Sequence, residues 1–308
     1  MKAAQQRQRS VIILPGLGNC AADYDDLVAN LVEKATQETS DSPLRVSVLP
    51  VARIDWLRNA LGLLGERERE STSGRIFIEG RKKLFFKILT CVFSSSSSFC
   101  NFCCVDGNYW RGTLKPRPTV DWYLNKLETC IQEARDETSG GPITLLAHSA
   151  GGWMGRTYLV EKESPGDCGV DCFVSLGSPH SPPPKEAAGV VDQTRGILTW
   201  VNETTPGAFH EGVKYVSICG KYIKGARIDA KEVSVEQKIT GQGYKQVCGS
   251  SEVWGDGIVP EDSAHLEGAL QIDLEGIYHS PLGKGDDKKW YGDSDVVDQW
   301  WNNIYVDP

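Results

Sequence analysis

The sequence predicts an α/β fold, a mostly parallel sheet with helices on both faces. Apolar segments of strand length alternate along the chain with amphipathic segments of helical spacing. The strand-like segments are apolar throughout rather than at every second position, the pattern of strands buried on both faces. The chain has 308 residues, 40% hydrophobic and 24% charged, enough for one large domain with its own core.

The first strand is expected over 11–14 ("VIIL"), stopped by Pro15-Gly16. A helix follows, with Leu27, Val28, Leu31, Val32 and Ala35 on one face and Asp23 as its cap. "LRVSVLP" is the second strand. A helix over 119–137 repeats Val120, Tyr123, Leu124, Leu127, Ile131 and Ala134 at helical spacing. "ITLLA" is a strand, and a helix starts directly after Ser149. "VDCFVSLG", "VKYVSICG" and "ALQIDL" are further strands, and "DSDVVDQWWNNIYV" closes the chain as a helix. Two connections, 181–212 and 221–252, are too long for plain loops and are expected to be lid or cap insertions. The first carries the amphipathic stretch "VVDQTRGILTWV".

The net charge of −8 argues against a nucleic-acid partner, since phosphate requires a basic face. The four apolar residues after "MKAAQQRQRS" are too few for a secretory signal, so a cytoplasmic location is expected, with a plastid as the alternative. Of ten cysteines, several fall inside apolar strands, as reduced buried thiols do. Cys100-x-x-Cys103 is half a zinc site with no second pair, and no metal is expected.

The stretch "LLAHSAGGWMG", residues 145–155, ends an apolar strand in a serine and starts a helix at once. A strand, then x-x-Ser-x-Gly, then a helix is a nucleophile elbow, which exposes the serine oxygen on a tight turn. Its neighbours two positions away must be small; here they are Ala147, where glycine is usual, and Gly151. The Ala150 N–H then opens a helix and faces the place where an oxyanion would form. In "PGLGN", closing the first strand, the Leu17 N–H is the expected second oxyanion donor. A dinucleotide loop there would need a third glycine and a later acid that this chain lacks.

Partners of the serine should follow in the order acid, then histidine. Among five histidines, His279 follows the last strand in a loop, where the base belongs. His148 is next to the serine on the other side of the turn, His180 is expected to line the site, and His210 and His265 sit in polar surroundings. Asp256, between two glycines in "VWGDGIVPEDSA", is the expected acid. Asp262 reads as a solvated helix cap, and Asp273 lies inside a strand. Ser149, Asp256 and His279 thus form the candidate catalytic set, with no cofactor required.

The segments "VIILPGLGN", "RIDWLRNALGLL", "NYWRGTLKPRPTVDWYL", "LLAHSAGGWMGR", "LGSPHSPPP", "DQTRGIL", "VKYVSICGKYIKGAR" and "WGDGIVPEDSAHLEGA" together resemble a plant-type α/β-hydrolase family similar to GPI inositol-deacylase-like proteins and lipases. The resemblance covers nearly the whole chain except about 65–105. It implies the α/β-hydrolase fold, the same three catalytic residues, lipid or other small-molecule ester substrates, and a plastid location. Acyl transfer to another alcohol uses the same residues, and a non-catalytic ligand-binding hydrolase fold is the reading from another class.

Residues 65–105 depart in composition from everything around them: a charged run, then Phe, Ser and Cys crowded together. Lys87 and the serine run make it a poor membrane span. Gly65-Glu66 can be coded GGT-GAG and Val105-Asp106 GTA-GAT, which contain a splice donor and an acceptor. Removal of these 41 residues would join "GLL" to "DGNYWRG". The segment is therefore expected to be a translated intron that adds nothing to the sheet. Genomic DNA without GT and AG at those codons would overturn this.

Overall fold

In the computed structural model, six strands form one sheet in the order β2-β1-β3-β4-β5-β8, every neighbouring pair parallel. They are β1 (Ser10–Leu14), β2 (Arg45–Val48), β3 (Ile143–His148), β4 (Val170–Leu176), β5 (Lys214–Lys221) and, beyond a small antiparallel pair of β6 (Ile223–Lys224) and β7 (Trp254–Gly255), β8 (Leu270–Glu275). The structure describes residues 8–38, 44–56, 108, 111–162, 164–187, 189–282 and 287–304. The anomalous segment 65–105, with Cys100 and Cys103, lies outside them.

Both faces of the sheet are buried, which explains why its central strands carry apolar residues on both faces rather than at every second position. In β1, Val11 and Ile13 face a core completed by Leu27 and Leu31, while Ile12 and Leu14 face one completed by Tyr123, Leu124 and Leu127. The first core lies under α1 (Asp25–Glu38), the second under α2 (Asp121–Glu137) and α3 (Ala150–Val160). Each fully buried Leu or Ile side chain contributes roughly 1.5–3 kcal/mol. Val32 is 42% exposed and lies off the predicted apolar face of α1. Asp23 accepts the Cys20 N–H at 2.8 Å and so caps a 3-10 turn (Ala21–Tyr24) that precedes α1.

The 181–212 connection contains α4 (Ile197–Thr204), shorter than the 190–201 stretch suggested. The Asp192 carboxylate accepts the Thr194 and Gly196 N–H groups, which holds a turn before the helix. Ile197, Leu198 and Val201 then pack into the core rather than outward. The 221–252 connection carries a helix that sequence periodicity does not show, α5 (Val235–Cys248). It starts at a capping box in which the Ser234 Oγ accepts the Gln237 N–H and the Gln237 side chain accepts the Ser234 N–H. The last described helix is α6 (Ser294–Trp300), which buries Val296, Val297 and Trp300. With the strand order and a sharp β3–α3 turn at its centre, this is the α/β-hydrolase fold. Ligands of such open sheets sit at the carboxyl ends of the strands, and the candidate residues gather there.

Candidate active site

Ser149 occupies the turn between β3 and α3 with φ 53° and ψ −126°. A non-glycine residue in this region costs on the order of 1–3 kcal/mol and is held only by its surroundings. Here the Ser149 N–H donates to the Leu176 carbonyl at 3.0 Å. A Cβ at Gly151 would lie 2.3 Å from the Leu14 carbonyl oxygen, so only glycine allows α3 to start so close to β1. Ala150 opens α3, and N–H groups of a first helical turn have no acceptor within their helix. The Pro15–Gly18 loop at the end of β1 lies against the serine: a Cβ at Gly16 would come within 2.5 Å of the Ser149 Cβ. Tyr123 donates to the Pro15 carbonyl at 3.1 Å, and the Gly16 N–H donates to the Tyr24 Oη at 3.0 Å, so the loop is held from two sides.

Asp256 is fully buried and accepts four hydrogen bonds. Its Oδ1 takes the Ile258 N–H (3.0 Å) and the Val259 N–H (2.7 Å); its Oδ2 takes the Tyr291 O–H (2.7 Å) and the His279 Nδ1–H (2.7 Å). A carboxylate can only accept, so Nδ1 of His279 carries the proton. The bare Nε2 then accepts from the Ser149 Oγ at 3.0 Å. The His279 N–H also donates to the Asp256 carbonyl at 2.9 Å, so ring and backbone are both referred to the same aspartate. α5 supports this loop from outside, because its Tyr244 Oη accepts the Gly257 N–H at 2.8 Å and donates to the Ile223 carbonyl at 3.2 Å.

The structure thus brings Ser149, His279 and Asp256 into one hydrogen-bonded series, with Ala150 and Leu17 in the two turns beside the serine. Asp262 lies exposed in a helical turn (Glu261–Ala264), and Asp273 pairs with His265 at 2.8 Å on β8. His210 binds the Tyr215 hydroxyl at 2.7 Å. His180 departs from expectation. It does not line the site but is 1% exposed, packed against α3 at Gly152 with its Nε2 2.8 Å from the Ser175 Oγ. Burial holds it well below the usual histidine range. Tyr24, Tyr244 and Tyr291 hold the site without any sequence motif to mark them.

For metal ions, Glu261, His265 and Asp273 offer one ligand atom each within 4.8 Å of one another. Lys221 Nζ already lies 3.4 Å from Glu261, and both His265 nitrogens face protein partners, Ser217 and Asp273. Cys130, Cys168, Cys172 and Cys219 are free and buried, and burial pushes each of these thiols up. Among the described residues, no helix is long and apolar enough to cross a membrane.

No protein-family model matches the chain, and no curated protein matches it in sequence. Among solved structures, the lipase BlEst2 of Bacillus licheniformis is 12% identical with a TM-score of 0.47, covering 99% of this chain and 95% of its own. A gene product of Listeria innocua is 12% identical with a TM-score of 0.48, covering 97% and 96%. The phospholipase PlaB of Legionella pneumophila is 14% identical with a TM-score of 0.45, covering 96% of this chain and 56% of its own. The fold assignment rests on the strand order and the turn at Ser149.

Proposed function

We propose that the protein is a serine hydrolase of carboxylic esters, with lipid-like acyl esters as its substrates. The observation that carries this reading is the Ser149–His279–Asp256 series on a strained strand-to-helix turn. Ser149 Oγ attacks the ester carbonyl while His279 Nε2 takes its proton. The tetrahedral oxyanion is held by the Leu17 and Ala150 N–H groups, donors of a kind worth about 2.7–4 kcal/mol each. His279 returns the proton to the leaving alcohol, and water resolves the acyl-enzyme by the same steps. Asp256 fixes the histidine tautomer and stabilises the imidazolium.

An apolar acyl group suits the loops around the serine. Leu17 in the oxyanion turn, Ile258 beside the acid and Leu282 beyond the base are 61%, 49% and 43% exposed. The motif resemblance to GPI inositol-deacylase-like proteins and lipases points to the same substrate class. The test is a panel of p-nitrophenyl esters of graded acyl length. Turnover is expected, with kcat/KM rising from acetate to medium chains. No turnover of any member, or equal turnover by Ser149→Ala, would overturn the reading.

A further inference from the structure

Behind the triad runs a second, fully buried series of hydrogen bonds that the acyl-enzyme chemistry does not use. The His148 Nε2 lies 2.8 Å from the His279 carbonyl oxygen. A carbonyl only accepts, so Nε2 carries the hydrogen. Burial pushes His148 down to about 3, so the ring is neutral and its Nδ1 is bare. Nδ1 therefore accepts from the Tyr24 hydroxyl at 2.8 Å, and the Tyr24 Oη in turn accepts the Gly16 N–H at 3.0 Å. Every donor and acceptor has one assignment, and the dipoles run in series and reinforce each other.

This series connects three loops that must agree in position for catalysis. Gly16 precedes Leu17 in the oxyanion turn, His148 precedes Ser149, and His279 is the base. The His148 and His279 ring centroids are 4.8 Å apart, and Trp290 closes against both Tyr24 (6.1 Å) and His148 (5.9 Å). Apolar side chains could fill this space without the desolvation that a buried phenol and imidazole carry. What they could not do is accept the Gly16 N–H or bind the His279 carbonyl.

We propose that Tyr24 and His148 are positioning residues that hold the oxyanion turn and the base loop in register with Ser149. Tyr24 takes the Gly16 N–H and so fixes the peptide plane before Leu17. His148 pins the His279 main chain at its carbonyl, while Asp256 pins the N–H. The inference rests on the ester-hydrolase reading above.

The experiment measures kcat and KM on a short-chain p-nitrophenyl ester, per site counted by fluorophosphonate titration, together with inhibition by phenylboronic acid as a tetrahedral analogue. His148→Leu is expected to lower kcat per site by up to about 100-fold, the scale of a misplaced catalytic group. KM should change little, and boronate affinity should fall alongside kcat. His148→Gln, whose amide can donate where Nε2 does, should recover most of the loss. Tyr24→Phe should lower kcat about tenfold, the scale of one net hydrogen bond. Unchanged kcat per site in Tyr24→Phe overturns the proposal even if its melting temperature falls, and it decides the matter if His148→Leu does not fold. A parent enzyme that fluorophosphonate does not label overturns the reading of the site and this inference with it. A labelled parent with unaffected variants overturns the inference alone.

Discussion

Among the described residues there are two serine–histidine–aspartate series, and the first has the surroundings that the proposed chemistry needs. In the first, Ser149, His279 and Asp256 are linked at 3.0 and 2.7 Å. In the second, Ser217 Oγ lies 3.4 Å from His265 Nδ1, and His265 Nε2 lies 2.8 Å from Asp273. Ser217 sits within β5, is 1% exposed, and its oxygen accepts the Leu266 N–H at 3.3 Å. It lies inside the strand rather than on a strand-to-helix turn. Asp273 has a side chain 41% exposed, where water competes for the carboxylate and such a pair is worth about 0–1 kcal/mol. Asp256 is wholly buried with four donors, and breaking a buried pair of this kind costs about 3–5 kcal/mol. Hydrogen-bond order alone therefore does not make a triad. The strained turn, the helix start and the desolvated acid distinguish the first set from the second.

Substitutions at matched positions can break this contrast. Ser149→Ala is expected to lower kcat by about 10⁶-fold, as loss of a triad nucleophile does, while Ser217→Ala leaves it unchanged; steady-state rates on the best ester check both. Asp256→Asn should lower kcat by about 10⁴-fold through the wrong histidine tautomer. Asp273→Asn and Asp262→Asn should leave the rate near that of the parent, and equal losses would reassign the acid. Tyr291→Phe removes one of the four donors to Asp256, a support with no counterpart at Asp273 among the described residues. Unfolding in urea should show a loss of about 1.5–3 kcal/mol, the scale of a hydrogen bond to a charged group, and an unchanged midpoint would remove Tyr291 from the account.

The last effect is a slope with pH. His148, pushed down to about 3, and His180, held well below the usual range, are both kept neutral by burial. In the unfolded chain these rings take up protons near pH 6.5. Unfolding therefore binds protons below that pH. The stability present above about pH 6.5 is lost as pH falls, by up to about 1.4 kcal/mol per pH unit for each ring, and the His148 share continues down toward pH 3. Urea midpoints at pH 7.5 and 5.5 measure this, and His148→Gln should show the shallower dependence. A midpoint that does not move, or rises in acid, contradicts it.

What the sequence shows of this molecule follows from local pattern. β1, β3, β4 and β5 are legible because strands buried on both faces carry mostly apolar residues without alternation. Ser149 is legible because an elbow needs small residues at fixed offsets, and His279 and Asp256 because the chain order after the nucleophile is constrained. α5 is hidden because Val235 and Ile239 are exposed and Gly241 and Gly243 interrupt it; the Ser234-x-x-Gln237 capping box and the left-handed Gly249 at its end are its local signals. The supporting residues are hidden for a different reason. Tyr24 meets His148 across 124 positions and Tyr291 meets Asp256 across 35, contacts that exist only once the sheet has formed. His180 misled because its place after β4 suggests the site, while its ring turns under α3 to reach Ser175.

The most direct test of the central claim is chemical. The protein is treated with a fluorophosphonate near neutral pH, and the adduct is located by peptide mass spectrometry. One adduct on Ser149 is predicted, absent from Ser149→Ala and formed far more slowly in His279→Ala, with Ser217 unmodified in all three. Labelling at Ser217 or elsewhere, or labelling of Ser149 at the same rate without His279, would contradict the assignment of Ser149 as a nucleophile activated by His279.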